Sequence, residues 1–496
     1  MGTDLDFVIF GFGGDLSRRK LIPALYELYV SGIVNENAQI TALGRKDYSS
    51  DDFAELIEEA IREGKGNPPL EFIKPFSALF TYHKMDISSK DDYQGLRELL
   101  DRSKASKVIY YYAISPSLYT EVSENLFSAG LSEEKEGQKV IAIIEKPFGH
   151  DWASSIALNN DLHKFFKESQ LYRIDHYLGK ETVQNILVTR FSNSIFEPLW
   201  NRNYIDYVEI SAYESLSVGN RIGYYDNAGA LRDMVQNHLL QVLAIIAMEP
   251  PVSASADCLR NEMVKVFQSL RPFSDGDVKR DVVRAQYAST SLGPGYLEEK
   301  GVRPLSKTET YVAIKCYIDS WRWSGVPFYI KTGKALKSSS SEVVIHFKDN
   351  PHKIFSENEN LSSEPNQLII RIQPDEGMVL RIGMKIPGPG FNIRQTELDF
   401  HYSDSKDLRI SDSYVRLISD AIHGDPTLYQ RSDAIELTWK YVDPILKAWK
   451  EDDSIPLYSY KRGSWGPENA ELLLSGKENS WRIPCSRMDS QGFCSL

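Results

Sequence analysis

The sequence predicts two folds in series: an α/β, Rossmann-like doubly wound parallel sheet, then an α+β domain built on a large antiparallel sheet with flanking helices. Three observations predict it. Six apolar runs alternate with helix-forming segments through the first 175 residues, and a glycine-rich turn closes the first run. After residue 190 the apolar runs lengthen and several follow one another across short turns. At 496 residues the chain is also too long for one ordinary domain.

The strand candidates of the first part are 6–10, 39–43, 82–85, 108–114, 140–144 and 171–174, with helix-forming segments at 20–30, 52–63, 93–102, 117–129 and 152–166. This alternation implies a parallel sheet that binds its ligand beyond the carboxyl ends of its strands. In the second part, strands are expected at 207–214, 310–319, 342–347, 367–373, 378–385 and 396–402, and helices at 228–248 and from 413 to about 450. The serine-rich run 337–341 is expected to be a mobile loop, and residues 475–496 a loosely held tail.

Composition narrows the function. A formal net charge of −12 argues against nucleic acid as a partner, which needs a basic face. No apolar run approaches the ~20 residues of a membrane span. The N-terminus lacks a basic start and an apolar signal region, so a cytoplasmic protein without membrane association is expected. Cys258, Cys316, Cys485 and Cys494 have no paired spacing; they read as reduced thiols, and no metal site is expected.

The first strand empties into Gly11-Phe12-Gly13-Gly14-Asp15-Leu16-Ser17-Arg18, ahead of a helix. Glycines there let the backbone approach a pyrophosphate, and a helix N-terminus supplies free N–H groups. The second strand ends in Arg45-Lys46, where an NAD site usually carries an acid and an NADP site an arginine, so NADP is favoured. Met85-Asp86 closes the third strand. Lys146, fixed by Pro147, closes the fifth, where nicotinamide and substrate would meet.

The sixth strand runs into Arg173-Ile174-Asp175-His176-Tyr177-Leu178-Gly179-Lys180-Glu181. Lys180 at a helix entry can pair with a phosphate, and His176 and Tyr177 could complete that anion pocket. His238 lies in an apolar helical stretch. At 3.6 residues per turn Asp233 stands about 140° away from it, a poor partner. If His238 is a general base its carboxylate comes from elsewhere, and Asp175 is the best candidate. Glu214 and Asp233 could accept from sugar hydroxyls.

These residues, together with the stretches 145–149, 14–20, 232–241 and 325–336, resemble the glucose-6-phosphate dehydrogenase family over nearly the whole chain. The resemblance implies oxidation of glucose 6-phosphate at C1 with NADP as acceptor, His238 as base and Asp175 as its partner. It implies phosphate binding by His176, Tyr177 and Lys180. Sugar contacts fall to Lys146, Glu214, Asp233 and Lys334, the last chosen on the resemblance alone. Coenzyme contacts fall to residues 11–18, Arg45, Met85, Asp86 and Lys146. It also implies a homodimer or homotetramer, with residues 1–175 binding NADP, 176–474 carrying substrate, catalysis and subunit contacts, and 475–496 as the tail. Two departures stand out. Relatives usually have Ser or Thr where this chain has Gly13. Basic residues that hold a second, structural NADP in animal members are replaced here by Ser340, Val344 and Trp465, which implies that this second site is absent or weak.

Overall fold

In the computed structural model the described residues are 4–66, 68–103, 105–352, 354–355, 365–404, 411–474 and 481–484, with the short strands Arg487–Met488 and Cys494–Ser495. They form two compact units: Met1–Gly179 with Val252–Arg260 and Ser411–Glu436, and Lys180–Pro251 with Asn261–Ile410 and Leu437–Leu496. No helix among the described residues is long and apolar enough to cross a membrane.

The first unit is a six-stranded, all-parallel sheet: β1 (Leu5–Phe10), β2 (Gln39–Gly44), β3 (Phe80–Lys84), β4 (Lys107–Tyr112), β5 (Lys139–Ile144) and β6 (Leu171–Arg173). Their order is β3-β2-β1-β4-β5-β6. Every residue of β1 and β4 is buried, as expected of central strands covered on both faces. The strand order reverses between β1 and β4, the crevice where such sheets bind ligands. Gly11 follows β1 there with φ +82°, and a Cβ on it would stand 2.3 Å from the carbonyl oxygen of Ala113, just past β4. Only glycine fits that approach.

The second unit holds a nine-stranded sheet: β7 (Ile205–Tyr213), β8 (Val282–Ala288), β9 (Tyr311–Tyr317), β10 (Pro327–Gly333), β11 (Ser340–Phe347), β12 (Gln367–Gln373), β13 (Gly377–Lys385), β14 (Ile393–His401) and β15 (Tyr458–Lys461). Their order is β14-β13-β12-β11-β7-β10-β9-β8-β15. The sheet is mostly antiparallel, but β7 pairs with β10 and β8 with β15 in parallel, because long excursions of chain separate those partners. The serines expected in a mobile loop are ordered instead: Ser338, Ser340 and Ser341 are buried, and the last two open β11. Small hydroxyl side chains enter a core at little steric cost.

A buried helical stretch runs against this sheet, first as the wide turns Leu231–Leu239 and then as Leu240–Ala247. Its last carbonyls have no partner within the helix. Arg190, on the helix Glu181–Ser192 and fully buried, donates to the carbonyls of Ile245, Ile246 and Met248 at 3.0, 2.9 and 2.8 Å. The indole nitrogens of Trp200 and Trp323 donate to Ile246 and Ala247, both at 2.8 Å. Burial lowers the Arg190 guanidinium to about 10, which still leaves it charged at neutral pH beside Glu197 at 3.2 Å. Arg190→Met should therefore lower stability by about 3–5 kcal/mol, measured by urea unfolding, since it strips the charge from a buried pair and leaves carbonyls unsatisfied.

Candidate active site

In the first unit the turn after β1 is pinned on three sides. Phe12 N–H donates to the carbonyl of Leu43 on β2 at 3.2 Å, Gly14 N–H to the carbonyl of Gly11 at 3.0 Å, and the buried Ser17 hydroxyl to the same carbonyl at 3.2 Å. Leu16 then leads into a wide helical turn, Ser17–Leu21, that continues as the helix Ile22–Val30. Phe12 points into the core against Phe53, with ring centroids 5.2 Å apart. Gly13 is exposed, and an added Cβ would meet only the Tyr48 hydroxyl, at 3.8 Å. Asp15 pairs with Arg19 at 2.7 Å, and Arg18 with Glu63 at 2.6 Å, so neither of these two predicted coenzyme residues stands apart from neighbouring charge.

Arg45 and Lys46 are exposed beyond β2, and neither forms an ion pair among the described residues. The nearest acid in sequence, Asp47, is held by Lys84 at 2.7 Å. Met85 is buried, its N–H donating to the Gly44 carbonyl at 2.9 Å, and Asp86 is exposed. Before Lys146, the half-buried Glu145 accepts from the Tyr111 hydroxyl at 2.5 Å, and its carbonyl accepts from Tyr119 at 2.7 Å. Burial lifts the Glu145 carboxyl above its ordinary range, against the phenols of Tyr111 and Tyr414 and the ammonium of Lys146. Those contacts fix the backbone from which Lys146 projects.

Asp175 is buried past the end of β6, one oxygen accepting from the Tyr177 N–H at 2.9 Å and the other from the Gln430 side-chain amide at 3.0 Å. His176 is half-buried and meets the buried Tyr177 ring edge-on, with centroids 5.1 Å apart.

In the second unit Lys180 occupies the cap position of the helix Glu181–Ser192, and its ammonium donates to Gln373 at the end of β12. Glu376 accepts from the N–H and hydroxyl of Thr182 in the first turn. Lys334, just past β10, is buried and pairs with Glu214, just past β7, at 2.5 Å. Its ammonium also lies 5.4 Å from the centre of the Tyr225 ring. Asp233, buried on the wide turns, accepts from Tyr224 at 3.3 Å. Burial pushes the Tyr225 phenol well above its ordinary range, and the charges of Asp233, Glu309 and Glu214 push it further. Glu214 and Lys334 beside Tyr225, and Asp233 on the adjacent Tyr224, offer one ammonium donor and two carboxylate acceptors, a set suited to a polyhydroxy ligand.

His238 is buried on the same wide turns, which correct the angle taken from a regular helix. Hydrogen bonds from i to i+5 widen each turn, so Asp233 and His238 stand closer to one side than the about 140° of a regular helix. Sequence reasoning also passed over Glu309, Gln430 and Tyr225. They lie in short mixed stretches that carry no periodic signal.

Asp226 anchors the preceding helix, Ile222–Ala230, accepting from Tyr296 at 2.7 Å and from Ser306 and Arg303 at 2.5 Å each. Burial would raise its carboxyl, but the bonds from Ser306, Tyr296 and Arg303 outweigh that and hold it below the usual range. A depressed folded-state pKa contributes stability above the unfolded value of about 3.9 and loses it as pH falls through the folded value. Asp226→Asn should therefore be less stable at pH 7 by about 1–2 kcal/mol. The gap should narrow as the pH falls below about 4, in denaturant melts at both pH values.

The chain is similar to known proteins along nearly its whole length. Residues 8–185 match the family described as glucose-6-phosphate dehydrogenase, NAD binding domain, and residues 187–482 match its C-terminal domain. The chain is 46% identical to glucose-6-phosphate 1-dehydrogenase of Aggregatibacter actinomycetemcomitans over 490 residues, covering 97% of this chain and 98% of that one. It is similar to a solved glucose-6-phosphate dehydrogenase in complex with its substrate glucose-6-phosphate, with TM-score 0.89 and 33% identity over 97% of this chain and all of the other. The corresponding enzyme of Mycobacterium avium gives TM-score 0.83 and 35% identity over 97% and 99%.

Proposed function

The chain belongs to the glucose-6-phosphate dehydrogenase family, and from that premise we propose that it oxidises glucose 6-phosphate at C1 to 6-phosphoglucono-1,5-lactone with NADP as hydride acceptor. The observation that carries this reading is the Lys334–Glu214 pair beside Tyr225, with Asp233, bonded to the adjacent Tyr224, on the same wide turns as His238.

The residues of the 11–18 turn with Arg45 would hold NADP, whose nicotinamide ring would supply the hydride acceptor. His238 accepts the proton of the C1 hydroxyl at a ring nitrogen, with Asp175 assigned by the family resemblance as the carboxylate that orients it. General-base assistance of this kind is typically worth ~10²–10⁴ in rate. Glu214 and Asp233 accept from sugar hydroxyls, and Lys334 and Lys146 donate. Lys180 supplies a point charge for the 6-phosphate, helped by the N–H groups of its helix and by His176 and Tyr177.

The turn at 11–18 fits a dinucleotide, since Gly11 leaves the main chain bare at the strand-order reversal. Arg45 and Lys46, exposed and outside any ion pair among the described residues, suit the 2′-phosphate that distinguishes NADP. By family, the protein is read as a cytoplasmic homodimer or homotetramer; the exposed apolar side chains Met384, Leu398 and Phe400 on β13 and β14 support a subunit contact.

Initial rates of NADPH formation test the reading directly. His238→Asn should depress kcat by about 10²–10⁴ with little change in KM, whereas Lys180→Ala should chiefly raise KM for glucose 6-phosphate and leave the poor use of glucose unchanged. Near-normal kcat in His238→Asn would sink the assignment of the base. Arg45→Ala should cost about tenfold or more in kcat/KM with NADP and little with NAD. An equal loss with both coenzymes would remove Arg45 from the 2′-phosphate site.

A further inference from the structure

The helix that carries Asp233 and His238 begins at an abrupt bend. Gly229 adopts φ 71° and ψ 173°, and the wide turns start two residues later at Leu231. Into the space left by the missing Cβ comes the carboxylate of Glu309: a Cβ on Gly229 would lie 2.3 Å from one of its oxygens and 2.7 Å from the other. That carboxylate accepts from the Leu231 N–H at 2.9 Å, and the Glu309 main-chain carbonyl accepts from the Ala230 N–H at 3.0 Å. Glu309 is buried, so these are the bonds that satisfy the first donors of a helix end shut off from water. The next residue, Thr310, accepts the Lys334 N–H at 2.9 Å through its carbonyl. One dipeptide therefore holds the start of the His238 helix and the backbone of Lys334.

We propose that Glu309 is a positioning residue for proton transfer: its carboxylate sets the angle at which the helix presents Asp233 and His238. The proposal rests on the reading of His238 as base. A negative group at a helix N-terminus is electrostatically favoured, and the Glu309 side chain is long enough to reach Leu231 only because Gly229 stands aside. Aspartate, one methylene shorter, loses that bond, whereas glutamine keeps an acceptor at the same reach.

The test compares Glu309→Asp and Glu309→Gln, in the full-length protein and again in a His238→Asn background, using steady-state kinetics and thermal melts. Glu309→Asp should lower kcat by ~10-fold or more with KM for NADP unchanged, because small misplacements of reacting groups cost rate before they cost binding. Glu309→Gln should recover most of the loss, and the aspartate effect should shrink in the His238→Asn background. Full kcat in Glu309→Asp overturns the proposal, as does glutamine no better than aspartate, or the same loss factor in both backgrounds. A His238→Asn protein that keeps its own kcat overturns the underlying assignment of the base, a result read without any change at Glu309.

Discussion

The second unit is organised by the need to bury a helix at both of its ends. A helix terminus carries about four unpaired donors or acceptors, and each one left unsatisfied away from water costs about 1–3 kcal/mol. From Leu231 to Ala247 every side chain but Arg232 is buried, so water cannot serve these groups. Side chains from elsewhere in the unit serve them instead: Glu309 at the start, and Arg190, Trp200 and Trp323 at the finish. Charge signs match the helix dipole at both ends, with a carboxylate on the positive terminus and a guanidinium on the negative one. Rigid ends leave the winding between them as the remaining freedom, and it is there that the turns are wide.

Wide turns are a costly arrangement that collects at functional sites. The two found in this chain among the described residues, Ser17–Leu21 and Leu231–Leu239, follow the glycine turn of the coenzyme crevice and carry the candidate base. In the second case the wider winding lessens the about 140° that a regular helix would put between Asp233 and His238. The surrounding sheet is unusually polar for an interior. Lys331 on β10 is buried against Trp481, 4.1 Å from its ring centre, and burial lowers its ammonium to about 8; His346 on β11 is paired with Glu209 on β7 at 2.7 Å. A buried ammonium such as that of Lys331 is weak support for stability. Two of these strands, β7 and β10, lead directly into Glu214 and Lys334.

The parallel sheet was legible in the sequence because its strands are short apolar runs, each punctuated by a turn or a helix start, and all six were found to within a few residues. In the second unit β8, β10 and β15 were missed as strands. β10 contains Lys331, and β15 is a four-residue edge, so neither reads as a clean apolar alternation. Glu214 and Asp233 could be chosen from their sites in the pattern, and Lys334 through family resemblance. Glu309 and Arg190 could not be chosen, because their importance lies in which main-chain groups they meet, and those partners are separated from them by 78 and 55 residues. The wide turns escaped for a related reason: hydrogen-bond spacing is a property of packing, and side-chain periodicity over nine residues does not resolve it.

Coenzyme choice brings two features of the first unit into opposition, and their magnitudes decide between them. Gly13 lacks the hydroxyl that the family resemblance implies near the coenzyme phosphates, a neutral hydrogen bond that would be worth about 0.5–1.5 kcal/mol. In the proposed reading Arg45 would offer a guanidinium to a dianionic 2′-phosphate, a charge-assisted bond of about 1.5–3 kcal/mol that becomes larger when bidentate. The first loss applies equally to NAD and NADP, because both carry the pyrophosphate. The second interaction exists only for NADP. On the proposed reading Gly13 would lower affinity without altering selectivity, and the selectivity would fall to Arg45 and Lys46 beyond β2, where the neighbouring Asp47 is paired with Lys84.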